Sequence, residues 1–166
     1  MIMKHHHLHS FARIYSAQPH FTDGTLISVE VDITQGLHAF SIVGLPNKAT
    51  EEARDRVGSA LKNSGFSSPK QQNKKIVVSL APAELKKEGS CFDVAIAIGY
   101  LVASKELVLN DPTALFVGEL SLDGTVRPVR EVFSVIAAGT KEGITTFYVP
   151  KENTHDLIFD TSITLY

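Results

Sequence analysis

The stretch Phe92–Ser104 constrains the fold most, because it is apolar almost all the way round. A surface helix keeps one polar face, whereas a helix without one has to be covered on every side. The segment therefore predicts a central buried helix, and the rest of the chain has to supply the layers around it. With 166 residues, 43% of them hydrophobic, the chain can bury one good core. A single domain is expected over residues 11–166.

Short β-branched runs precede the buried segment. Phe11–Ala17 and Leu26–Ile33 flank the turn signal Thr22-Asp23-Gly24 and read as a hairpin. Ile27, Val29, Val31 and Ile33 alternate with Ser28, Glu30 and Asp32, the pattern of a strand buried on one side. Ala39–Val43 predicts a third strand, ended by Gly44-Leu45-Pro46. A helix should follow, capped by Asn47 or Thr50, striped by Ala53, Val57, Ala60 and Leu61, and leaving at Gly65. Arg54, Asp55 and Arg56 read as its solvated face. Ser67–Lys75 reads as a polar loop, Ile76–Leu80 as a compact strand, and Glu84–Glu88 as a charged turn or short helix.

Beyond the buried segment, Leu115–Leu122 predicts one strand, Asp123-Gly124 a hairpin turn and Val126–Val129 the returning strand. Val132–Lys141 predicts a helix that stops at Gly143, and Phe147–Val149 a last core strand. Asn153 suits the cap of a short terminal helix. Strands come first and then alternate with helices. The fold class is α+β, a mixed sheet with helices packed on one face.

Composition excludes several functions. A formal net charge of -2 gives no global pull toward nucleic acid or an anionic membrane. Cys91 is the only cysteine, so there is no internal disulfide and no CxxC motif. That fits a reducing compartment, and a cytoplasmic location is expected. No apolar run reaches the roughly 18 residues of a membrane span, and no signal-peptide core opens the chain. Residues 1–10, with His5, His6, His7 and His9, read as a tag remnant or a native extension outside the fold. There is no GxxxxGK[ST] loop, GxGxxG, HExxH or EF-hand pattern. ATP or a dinucleotide is therefore not expected as a cofactor of this domain.

Three blocks carry more specific information. The first is Val43-Gly44-Leu45-Pro46-Asn47 with Glu52–Val57 and Leu61–Phe66. The second runs Val78–Gly89 and adds Phe92-Asp93 and Ala97-Ile98-Gly99. The third is Phe116–Gly124 with Val126–Val129 and Val149–Asn153. Together they resemble the N-terminal domain of the ComM/YifB family, a bacterial branch of the magnesium-chelatase-like AAA+ ATPases, over about residues 11–166. The resemblance implies a ring-forming, ATP-driven motor acting on DNA in transformation or recombination. ATP and magnesium would belong to a separate AAA+ module, which would be this domain's partner, and the chain would be an excised accessory domain.

The second and third blocks also look like the proteolytic domain of Lon-type proteases, which shares its fold with the second domain of ribosomal small-subunit protein five. In those proteases a serine follows Gly-Pro, and a lysine from a later helix removes its proton. The resemblance puts Cys91 at the serine position, with Gly89 and Ser90 in place of Gly-Pro, and Phe133 at the lysine position. A nucleophile needs a base within about 3 Å or a depressed pKa, and Phe133 accepts no proton. Cys91 is thus expected to be a packed side chain in a degenerate protease site, with no catalytic residue; a Lon-like peptidase with Cys91 as nucleophile is the alternative. Asp93 and Glu88 are expected to stabilise helix-start amides, and Glu119 with Arg127 to form an ion pair. Lys70, Lys74, Lys75, Lys86 and Lys87 are the candidate phosphate contacts of a third reading, a DNA-binding module.

Overall fold

In the computed structural model, residues 10–21, 23–157 and 162–166 are described. The histidine-rich start and Thr22 of the expected turn lie outside them. Strands β1 (Ser10–Gln18) and β2 (Thr25–Gln35) form the expected antiparallel hairpin, with Ile14 opposite Val29. Strand β3 (Ala39–Val43) runs parallel to β4 (Lys74–Ala81), which in turn pairs antiparallel with β2. On the other side of β1 lie β5 (Leu115–Phe116), β8 (Thr146–Tyr148) and β9 (Thr164–Leu165), all parallel. The sheet order is β3-β4-β2-β1-β5-β8-β9, and a separate ribbon joins β6 (Glu119–Leu120) to β7 (Val126–Arg127).

The apolar stretch forms α3 (Asp93–Ala103), which packs on β1 and β2 with Phe92, Ile96 and Tyr100 fully buried. Gly99 permits this approach: a Cβ there would lie 2.7 Å from Val31 Cγ2. Helix α4 (Val132–Lys141) has the predicted bounds and packs on the same two strands. Helix α2 (Ala53–Asn63) packs against α3. The fold is α+β with a mixed sheet, as the sequence predicts.

Several elements differ from expectation. The helix after β3 is two pieces, α1 (Lys48–Glu51) and α2. Asn47 supplies the cap, accepting from Thr50 N at 2.9 Å. The single strand over 115–122 is broken, because Gly118 N donates to Cys91 O (3.0 Å) and Val94 N to Gly118 O (3.2 Å). Those bonds turn the chain out of the sheet and send Glu119 into the ribbon. Lys74 and Lys75 belong to β4 rather than to a loop. Asn153 lies inside a 3-10 turn (Lys151–Asp156) and caps nothing; its side-chain amide pairs with both N and O of Val129, at 2.9 Å each.

Candidate functional site

The three sequence blocks meet at Asp93. Its side chain is wholly buried, and Arg56 grips it with Nε–Oδ2 at 2.6 Å and a guanidinium nitrogen to Oδ1 at 2.9 Å. Leu120 N donates to the same carboxylate at 3.1 Å. One carboxylate thus ties α2, α3 and β6 together with charge-assisted bonds. Burial pushes the Asp93 carboxyl up, and the guanidinium and the amide pull it back. The hydrogen bond to Asp93 leads the causes that raise Arg56. Arg56 is therefore no part of a solvated face, and Asp93 does not serve its own helix amides. A carboxylate opening an otherwise apolar helix signals that a partner is needed, but not which one.

A second staple holds the turn before α3. Lys87 N donates to Leu45 O at 3.0 Å, and Asn47 N to Lys87 O at 2.9 Å. Buried Thr50 donates Oγ1 to Gly89 O at 2.9 Å. The Gly-Leu-Pro-Asn segment of the first block exists to fix the Gly89-Ser90-Cys91 turn of the second.

That turn lines a cleft of about 480 Å³, together with Pro19, Glu119, Arg130 and Glu131. Cys91 is 6% exposed, and its Sγ lies 3.9 Å from Ala17 O. Burial pushes its thiol up to about 12, with the Asp93 charge adding to the rise. Ser90 donates its hydroxyl to Glu119, which also faces Arg127 at 3.7 Å, the expected pair. Phe133 is 61% exposed and stands outside the cleft lining. Among the described residues no lysine lines the cleft. The Cys91 thiol thus has little thiolate character, and the one carboxylate that meets a hydroxyl in the cleft, Glu119, is shared between Ser90 and Arg127.

Alkylation tests this directly. At pH 8 a thiol with a pKa of about 12 is ionised to about one part in 10,000, against about a quarter for an ordinary thiol. Iodoacetamide labelling of folded Cys91 is expected to be very slow and to rise about tenfold per pH unit from about pH 7 to 10 with no plateau. A plateau below about pH 9, or peptide cleavage abolished by Cys91→Ala, would overturn the reading.

The candidate phosphate contacts differ in their surroundings. Lys70 pairs with Asp55 at 3.6 Å and Lys86 with Glu88 at 3.0 Å. Lys75 is exposed on β4, while Lys74 lines a small cleft beside Lys105, a residue the sequence reading missed. Lys87 corrects the sequence reading outright: it is buried, its ammonium donates to Pro82 O, and burial lowers its pKa. It cannot reach a phosphate backbone.

Comparison with known proteins places these residues in a family. Competence protein ComM of Haemophilus influenzae is 44% identical over 133 residues, 80% of this chain and 26% of its own length. YifB of Escherichia coli is 47% identical over 119 residues, 70% of this chain and 23% of its own. An uncharacterised protein of Mycobacterium tuberculosis is 39% identical over 145 residues, 87% of this chain and 28% of its own. The chain thus spans about a quarter of the length of these relatives. Residues 29–153 match the family described as subunit ChlI of magnesium chelatase, so the chain belongs to that magnesium-chelatase-like family, as a domain of the ComM/YifB type.

Proposed function

We propose that this is a non-catalytic accessory domain of a ComM/YifB-type AAA+ ATPase, acting in the cytoplasm to organise the ring or guide DNA in transformation or recombination. The observation that carries the reading is the Cys91 cleft, where a buried thiol with a pKa near 12 faces no lysine among the lining residues. A fold that keeps the frame of a site without its chemistry serves as a scaffold. The name competence protein, borne by the Haemophilus relative, points the same way. ATP and magnesium belong to the AAA+ module in this reading, and among the described residues no helix is long and apolar enough to cross a membrane.

Calorimetry with magnesium-ATP is the test. The expected trace shows no binding to this chain, and a stoichiometric isotherm would sink the proposal. Direct DNA contact is the second reading, favoured by Lys74 and Lys105 sharing one cleft. Binding of a labelled duplex at about 50 mM salt, with a salt slope that falls by about one for each of Lys74→Ala and Lys75→Ala, would establish it. No binding at that salt leaves the scaffold role alone.

A further inference from the structure

The outward face of α3 is not fully covered by the domain itself. Val94 and Ile98 line a groove of about 560 Å³ whose far wall includes Phe116, Tyr148 and Tyr166. A smaller apolar cleft shares Val94, Ile98 and Val126 with it and continues to Leu61 and Phe66. The two make one apolar surface. Its rim is open to solvent: Val108 is 85% exposed and Tyr166 65%. The far wall is an aromatic stack, with Phe116 on Tyr148 (4.5 Å between centroids) and Tyr148 on Tyr166 (5.0 Å). Exposed apolar side chains gathered in one concave place mark an interaction surface.

Two observations select the occupant. The matched region is 26% of the Haemophilus relative, so about three quarters of such a polypeptide lies outside that region and is tethered to it as the nearest available partner. The two charged residues among the groove's lining, Asp111 and Lys151, are of opposite sign. Asp111 is held ionised by Thr113, whose N and Oγ1 donate to it at 2.9 and 2.6 Å, and Lys151 lines the same groove. An amphipathic helix laid in this groove buries an i, i+3/i+4, i+7 stripe against Ile98 and Phe116. Its basic residue would then sit by Asp111 and its acidic one by Lys151.

We propose that this groove docks an amphipathic helix from the remainder of the longer polypeptide that ComM-type relatives possess, fixing the domain's position on it. The proposal rests on the accessory-domain reading and names the surface through which that role is exercised.

Thiol labelling tests it, because Cys91 is buried and leaves an introduced thiol as the reactive one. Val108→Cys and, as a control away from the groove, Leu37→Cys (92% exposed in the native residue) are made in this chain. They are also made in a chimera where this chain replaces the matched quarter of Haemophilus ComM. Maleimide labelling, read by peptide mass, is expected to slow about tenfold or more at Val108→Cys in the chimera, while Leu37→Cys stays fast in both. Equal rates at Val108→Cys in chimera and isolated chain overturn the proposal. So does protection in the isolated chain that grows with concentration alongside a doubled mass, which would assign the groove to a second copy. If the chimera does not fold, ComM lacking its matched quarter is titrated with this chain by calorimetry. Binding abolished by Val108→Asp supports the groove, and no binding overturns it. ATP hydrolysis by the chimera, measured in parallel, bears on the accessory role alone.

Discussion

Asp93→Ala should cost about 3–5 kcal/mol of unfolding free energy, the range for breaking a buried ion pair by removing one partner. The carboxylate is wholly buried and takes two bonds from Arg56 and one from Leu120 N. Removing it orphans the Leu120 amide and leaves the guanidinium with Ala49 O at 2.9 Å and Glu52 at 3.8 Å. Arg56→Ala acts differently, since it strands a buried carboxyl that burial already pushes up. In that variant the native state holds the Asp93 proton more tightly than the unfolded chain does. Stability is then kept at low pH and lost as pH rises from the unfolded carboxyl range through the folded pKa. Urea unfolding at about pH 4.5 and pH 8 measures this, and equal losses at both pH values would refute the assignment. Replacing both partners together, Arg56→Met with Asp93→Leu, should recover most of the loss. A double variant no more stable than Asp93→Ala would mean that packing, not charge, holds the junction.

The elements legible in the sequence are those whose signals are local. Helix α4 keeps its predicted bounds because its apolar stripe lies within the segment and its exit at Gly143 follows just after it. The alternation of Ile27, Val29, Val31 and Ile33 puts all of them in the core, and the all-apolar α3 is buried as its composition requires. What escaped the sequence was decided by distant backbone. The strand at 115–122 breaks because Cys91 O and Val94 N claim Gly118. Lys87 sits in a run of charge that reads as solvent-facing, yet its backbone is paired with Leu45 and Asn47 and draws the side chain under the surface. Arg56 lies three residues from Ala53 and one from Val57 on a helix whose polar face looked uniform, and its partner is 37 residues away. The cleft was legible only in part. Cys91 could be placed at the turn before α3, but the residues that face it, Glu119, Arg130 and Glu131, arrive from other elements.

Gly44→Ala is the other change expected to be severe, at about 4 kcal/mol from added backbone strain and a contact that nothing can relieve. Gly44 has φ +103°, a conformation that L side chains rarely adopt, and a Cβ there would lie 2.1 Å from Leu80 O. The obstacle is backbone in β4, where Leu80 is fully buried and registered opposite Val29, so retreat would break the sheet. Gly65→Ala and Gly143→Ala isolate the strain: their φ values are +84° and +82°, and nothing stands within 4 Å of the new Cβ. Each should cost only about 1–2 kcal/mol. Urea midpoints of the three variants at unchanged m decide the matter, and a Gly44→Ala loss no larger than the other two would show that Leu80 yields. The variant should also reach the cleft. Leu45 and Asn47, which follow Gly44, hold Lys87 in place and Thr50 holds Gly89, so displacing them loosens the turn that buries Cys91. Alkylation of Cys91 in Gly44→Ala should therefore run faster than in either control at equal folded fraction, because the staple keeps the thiol buried and burial is the main cause of its raised pKa.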